Sequence, residues 1–361
     1  MSGPAAVLLT GDFNTVKGCY LHELSAAGIH VQTGDIATQR QGNTVITDNI
    51  IHDFEQIYTI YNAGISVLGY GALVSHNETY NTPQSGIQIR AGQCIIEYND
   101  VHDCCRELGD GGAITTWGNF SWAGNIYRYN YVHQVKDITS ERFGISRYGN
   151  GNAMFFDMYG KYITCYNNLF VDVMGCMIGS SGNMTYINNV CVNVEAPITI
   201  CYWGVSNDRY LYDEDEFIND IRIHDYLGQL WKYTSPRTVL LVELADQHYR
   251  ENNMDLLLAP GYIIVQNNVR FIDSASEIKP YIEANGEEYT KDYMVRGSDY
   301  VFNMSPLLDN VCYIDEDPGF TDYANGDYTF KEDSRVFRDL IGFENIDMSV
   351  FGPRASENSF K

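Results

Sequence analysis

Two short segments carry the residues best suited to chemistry. In Glu107-Leu108-Gly109-Asp110-Gly111-Gly112, carboxylates sit in a glycine-rich turn feeding a β-type stretch, where small neighbours leave a side chain open to a bulky substrate. In Phe155-Phe156-Asp157-Met158-Tyr159, an acid stands at a strand end among aromatic rings. Aligning Gly112-Ala113-Ile114-Thr115-Thr116-Trp117 with Asn152-Ala153-Met154-Phe155-Phe156-Asp157 stacks Asp157 on Trp117 and puts Asp110 a turn away on the adjacent coil of chain. Carboxylates on neighbouring coils can lie about 5 to 9 Å apart, the separation that serves an acid and a nucleophile or base at a glycosidic bond. An apolar wall from Trp117, Phe155 or Phe156 would raise one pKa and keep that carboxyl protonated as the acid. The plainer alternative for Asp110 is a turn cap.

Further side chains extend the candidate set. Trp117, Trp122 and Tyr148, read as exposed, suit stacking on sugar faces, although rings also fill β-rich cores. Glu107, His102, His133 and Arg147 complete the expected substrate-binding residues. His52, His102 and His133 each fall three residues after a recurring asparagine, which points to a stacked row, so no metal or other cofactor is expected there. Arg90, Arg128, Arg142 and Arg147 could hold a uronate or sulfate, or pair with the surplus acids. A polysaccharide lyase would instead need several carboxylates on Ca²⁺ and a Lys or Arg base. No tight Asp-x-Asp cluster in the repeat region supports that alternative.

The elements that must position these residues are marked by asparagine. A motif of one apolar residue, three variable residues and Asn recurs at Val45–Asn49, Leu73–Asn77, Ile95–Asn99, Ile126–Asn130, Ile163–Asn167, Met184–Asn188 and Ile263–Asn267. A second short β-type stretch follows most of these, and a third opens on Gly or another small residue, as at Gly64, Gly86, Gly112 and Ala153. Three short strands in about 22 residues match one rung of a parallel β-helix, with rungs stacked at roughly 4.8 Å. Stacked rungs place like over like, so an Asn able to adopt the left-handed turn can bond through its amide to the next rung. The expected fold is therefore all-β, a right-handed parallel β-helix forming one structural domain. Residues 1–201 read as rungs, 202–260 as a partly helical acidic insertion, and 261–361 as the last rungs and a closing segment. The stretch from Asp309 to Gly352 is expected to cap the open end of the solenoid.

Composition narrows the partners. Lys and Arg number 23 against 47 Asp and Glu, a net charge of −24 that repels a nucleic-acid backbone. No run approaches the roughly 18 apolar residues needed to span a bilayer, so membrane insertion is not expected. The first ten residues lack the basic flank and cleavage site of a signal peptide. Nine cysteines, with the adjacent pair Cys104-Cys105, read as thiols rather than bridges.

The string from His102 to Ile114, with Gly124-Asn125-Ile126-Tyr127-Arg128-Tyr129-Asn130-Tyr131-Val132-His133, resembles the right-handed parallel β-helix proteins of glycoside hydrolase family 141. The stretch from Asp317-Pro318-Gly319-Phe320 through Gly326-Asp327-Tyr328-Thr329-Phe330 to Phe343 is similar to that family's closing segment. The resemblance implies a glycosidase acting on a complex polysaccharide, with Asp110 and Asp157 matching the catalytic pair. It implies a secreted, periplasmic or cell-surface setting. The second Asp of the family's second motif is Met158 here, and the Tyr after Ile114 is Thr115.

Overall fold

The computed structural model describes residues 4–36, 38–116, 122–137, 148–149, 151–157, 162–179, 184–201, 263–276, 288–289, 294–297 and 307–354. Short strands recur in threes along the chain and assemble into three parallel sheets of ten, nine and nine strands. Each sheet takes one strand from every rung, so nine rungs stack in sequence order, and the tenth strand of the first sheet, Glu288–Tyr289, is an antiparallel addition at its edge. The chain folds as a parallel β-helix. The reading of residues 202–260 as a partly helical insertion lies outside the described residues.

The rungs hold together because the middle residue of each three-residue strand turns inward. In the second sheet, Val74, Ile96, Tyr127, Cys165, Tyr186 and Val265 lie in one register column, all buried. Cys165 separates two tyrosines, so a small side chain makes room between two large ones. Each fully buried apolar side chain contributes roughly 1.5–3 kcal/mol. The described cysteines are free thiols, Cys104 and Cys105 among them, and most line this core.

The expected asparagine ladder exists, with a change of phase. It runs through Asn49, Asn77, Asn99, Asn130, Asn168, Asn189, Asn268 and Asn310, with Nδ2 to Oδ1 distances of 2.8–3.1 Å. Asn167, Asn188 and Asn267, the expected members, are one residue early. They occupy the left-handed position, with φ of 53–56°. That conformation belongs throughout to the residue before the ladder: Asp48, His76, Tyr98 and Tyr129 adopt it in the earlier rungs. The ladder Asn does the bonding and its predecessor makes the bend, two tasks that the sequence reading had assigned to one residue.

The C-terminal segment does not close the end of the solenoid as expected. Val311–Ile314 supplies the last strand of the third sheet, and the chain then turns back along the flank. Phe320, Phe330, Val336, Leu340, Phe343 and Ile346 cover the apolar outer face formed by Leu169, Val171, Val190, Val192, Val269 and Phe271. Further on, Asn188 Nδ2 donates to Glu344 O at 2.8 Å, Gly352 N to Tyr98 O at 2.9 Å, and Arg354 Nη2 to Asp48 Oδ2 at 2.6 Å. The Arg354 guanidinium holds the Asp48 carboxyl down at about 2. The tail is a lateral strap reaching back to the early rungs.

The phase of the ladder is testable at the Asn167-Asn168 pair. Asn168→Ala orphans the buried backbone N–H of Asn130, removes one acceptor of its Nδ2 and loses the Asn168 amide's own bonds to Tyr127 O and Asn189 Oδ1, about 2–5 kcal/mol together. Asn167→Ala loses a left-handed preference and one bond to Glu344, about 1 kcal/mol. Equal losses in urea unfolding would contradict the assignment.

Candidate functional site

Asp157 is placed by the first sheet. Strand Asn152–Phe156 pairs with Gly112–Thr116 in the expected register, Gly112 against Asn152 and Thr116 against Phe156. Asp157 follows directly, its N–H donating to Thr116 O at 2.9 Å, and its side chain is half-buried. Ile87, Ile89, Ile114, Met154 and Phe156 face the core, so alternation turns Gln88, Arg90, Thr115 and Phe155 outward. Gln88, Thr115 and Phe155 share one register column with Ser66 and Met177. Although they point away from the core, Ser66, Gln88, Thr115 and Phe155 are buried. Burial also lowers the Arg90 pKa. Four connections, after Thr116, Phe156, Gly179 and Cys201, leave the same ends of consecutive strands of this sheet. Trp117 and Arg147, both expected in the site, lie outside the described residues.

Asp110 is elsewhere. It precedes strand Gly112–Thr116, whereas Asp157 follows the strand paired with it. Five residues at about 3.3 Å each separate those two ends, so roughly 16 Å or more lies between the positions. That exceeds the ~5–9.5 Å over which two carboxylates share a glycosidic bond. The expectation that they lie a turn apart is corrected for this reason: adjacent rungs bring like positions together, and these two are at opposite ends. Asp110 and Glu107 are exposed on the turn entering the first sheet. Gln84 joins that turn to its neighbour, donating from Nε2 to Asp110 O at 2.9 Å and accepting at Oε1 from Tyr61 N at 2.7 Å.

The histidines occupy a third surface. His22, His52, Tyr80, His102 and His133 stack face to face along the outer face of the third sheet, with centroids 4.6–5.4 Å apart. The row expected from their spacing is present. Tyr148, expected as an exposed platform, is buried, and its hydroxyl donates to Asn193 O at 2.9 Å. It braces a turn. Arg128 pairs with Glu97, Nε to Oε2 at 2.6 Å, and donates to the Tyr166 hydroxyl at 2.7 Å, so the surplus acids claim it. Among the described residues, the candidates thus divide between three surfaces.

Sequence reasoning missed Glu55, which lies fully buried behind the Gln84 turn. Its carboxylate accepts from Thr82 Oγ1 at 2.7 Å, Asn62 N at 3.1 Å and Gln84 N at 3.2 Å. Burial wins over these donors and pushes its pKa up to about 8. Its burial follows from contacts with Asn62, Thr82 and Gln84, which the local sequence around it does not show.

No protein-family model matches the chain, and no curated protein matches it. Among solved structures, one titled "Glycoside hydrolase" is similar at 14% identity and a TM-score of 0.39, over 51% of this chain and 34% of that one. The chain spans about a third of that structure's length. So slight a likeness carries no functional argument. No helix among the described residues is long and apolar enough to cross a membrane.

Glu55 sets a pH dependence. Between about pH 4.5 and 8 the unfolded chain has released this proton and the folded chain retains it, so its contribution to stability is present below that window and is lost as pH rises through it. The slope is at most about 1.4 kcal/mol per pH unit. Glu55→Gln should therefore gain stability relative to wild type as pH rises from 5 to 8, measured by urea unfolding. A constant difference across that range would contradict the burial account.

Proposed function

We propose that the protein is a glycoside hydrolase that binds a complex polysaccharide on the outer face of the first sheet and uses Asp157 as one carboxylate of its catalytic pair. The observation that carries this reading is the sheltered outward column beside Asp157. Gln88 and Thr115 offer hydrogen bonds there, Phe155 and Met177 offer apolar surface, and Arg90 offers a cation, the mixture that sugar recognition needs. A polymer lying along the solenoid axis would meet equivalent positions on successive rungs. Asp157 has a pinned backbone beside this column, just past the end of strand Asn152–Phe156, which suits a group that must hold its position against a glycosidic oxygen.

The reaction needs a second carboxylate, and Asp110 is too distant to supply it. Among the described residues, strands Gly112–Thr116, Asn152–Phe156 and Cys176–Gly179 contain no Asp or Glu. That observation favours a second reading, a carbohydrate-binding solenoid without turnover. A lyase on the same scaffold is distinguished by its unsaturated product.

Reducing-end release from a panel of plant, algal and host polysaccharides separates these readings. Hydrolysis predicts that Asp157→Asn lowers turnover by about 10²–10⁴-fold, the usual worth of a positioned acid or base, with binding retained. Asp110→Asn should stay within about threefold of wild type, as expected for an exposed turn residue outside the reacting shell. Glycan binding with no new reducing ends would replace hydrolysis with the binding reading. An ultraviolet-absorbing product abolished by chelator would replace it with elimination.

A further inference from the structure

The outer face of the third sheet gathers acids around its ring ladder, on a different surface from Asp157. His102 and His133 are register partners on adjacent rungs, with ring centroids 4.6 Å apart. Glu78 and Asp100 are register partners in the neighbouring column. His133 Nε2 lies 3.0 Å from Asp100 Oδ1, and His102 Nε2 lies 3.4 Å from Glu78 Oε1. One ligand atom each from Asp100, His102 and His133 falls within 4.8 Å of the others. Behind them, Asp103 Oδ2 lies 2.8 Å from His102 Nδ1. A proton on Nδ1 donated to that carboxylate leaves the Nε2 lone pair facing Glu78. Carboxylates orient metal-binding imidazoles in this manner. Three carboxylates on two imidazoles, all at most half-exposed, make the patch strongly anionic unless a cation joins it.

We propose that Asp100, Glu78, His102 and His133 form a site for one divalent transition-metal cation such as Zn²⁺. Two imidazole nitrogens and two carboxylate oxygens match the borderline character of Zn²⁺, whereas Ca²⁺ and Mg²⁺ favour shells of oxygen alone. Side-chain rotation of Glu78 and Asp100 would draw the ligand atoms in to the ~2.0–2.2 Å that Zn²⁺ requires. The site also lies under the C-terminal strap. A Cβ at Gly352 would stand 3.4 Å from Asp100 Cβ, and Tyr131 stacks on His133 at 4.1 Å while touching Phe351 at 5.6 Å. The metal would therefore fasten three successive rungs beneath the strap. Protonation of the imidazoles is the competing way to neutralise the acids, and it predicts no metal binding.

The test uses the full chain, freed of metal by chelator and titrated with Co²⁺ by visible absorption and with Zn²⁺ by calorimetry. We expect one equivalent per chain, with affinity at least tenfold weaker in Asp100→Asn and His133→Gln and unchanged in His22→Gln at the far end of the ladder. X-ray absorption of the wild-type zinc form, which does not depend on any variant folding, should find two imidazole nitrogens in the shell. Absence of saturable binding, unchanged affinity in both site variants, or a zinc shell lacking two imidazoles would overturn the proposal.

Discussion

In the turns between the second and third sheets from Asn77 to Asn310, one asparagine oxygen accepts two hydrogen bonds from the rung before it, one from a backbone N–H and one from the preceding amide. The same amide nitrogen reaches a backbone carbonyl of that preceding rung, as Asn130 does to Ile96 O at 2.9 Å. Because these groups are buried, a slip of one residue would orphan several of them at about 1–3 kcal/mol each. The ladder therefore fixes register, and a parallel solenoid with fixed register fixes every outward column. Left-handed backbone at His76, Tyr98 and Tyr129 is unfavourable by roughly 1–2 kcal/mol apiece. The ladder bonds, and the stacking of His76 on Tyr98 and Tyr98 on Tyr129, offset that cost.

Fixed columns separate the possible functions of the molecule. The first sheet presents a sheltered mixed column beside Asp157, the entering turn presents Glu107 and Asp110 to solvent, and the third sheet presents a histidine and carboxylate array. The outer face of the third sheet also changes character along its length. Rings and acids occupy it up to Tyr131 and His133, and Leu169, Val171 and their successors make it apolar thereafter. The strap follows that division, burying its phenylalanines where the face is apolar and touching the array only at its last turn.

Much of this architecture was legible in sequence because stacking repeats residue types at fixed offsets. The histidine row followed from a constant three-residue offset, and the register of Gly112–Thr116 on Asn152–Phe156 from simple alignment. Three ladder positions were misplaced by one because Asn167-Asn168, Asn188-Asn189 and Asn267-Asn268 offer the same residue type for the bend and the bond. Asn310 escaped notice because Pro306 stands where the motif has an apolar residue. The Asp110 and Asp157 pairing failed for a reason already contained in the alignment: one precedes the strand and the other follows it. The strap was not legible, since nothing in its composition distinguishes covering an end from covering a flank.

The central proposal is that a polysaccharide binds over the sheltered outward column beside Asp157, whose register the ladder fixes. Its most direct test is a crystal structure of the protein with the oligosaccharide that it binds best from the polysaccharide panel. The account predicts sugar rings over Gln88, Thr115 and Phe155, with a glycosidic oxygen near Asp157. Sugar confined to the Glu107–Asp110 turn or to the third sheet would contradict it.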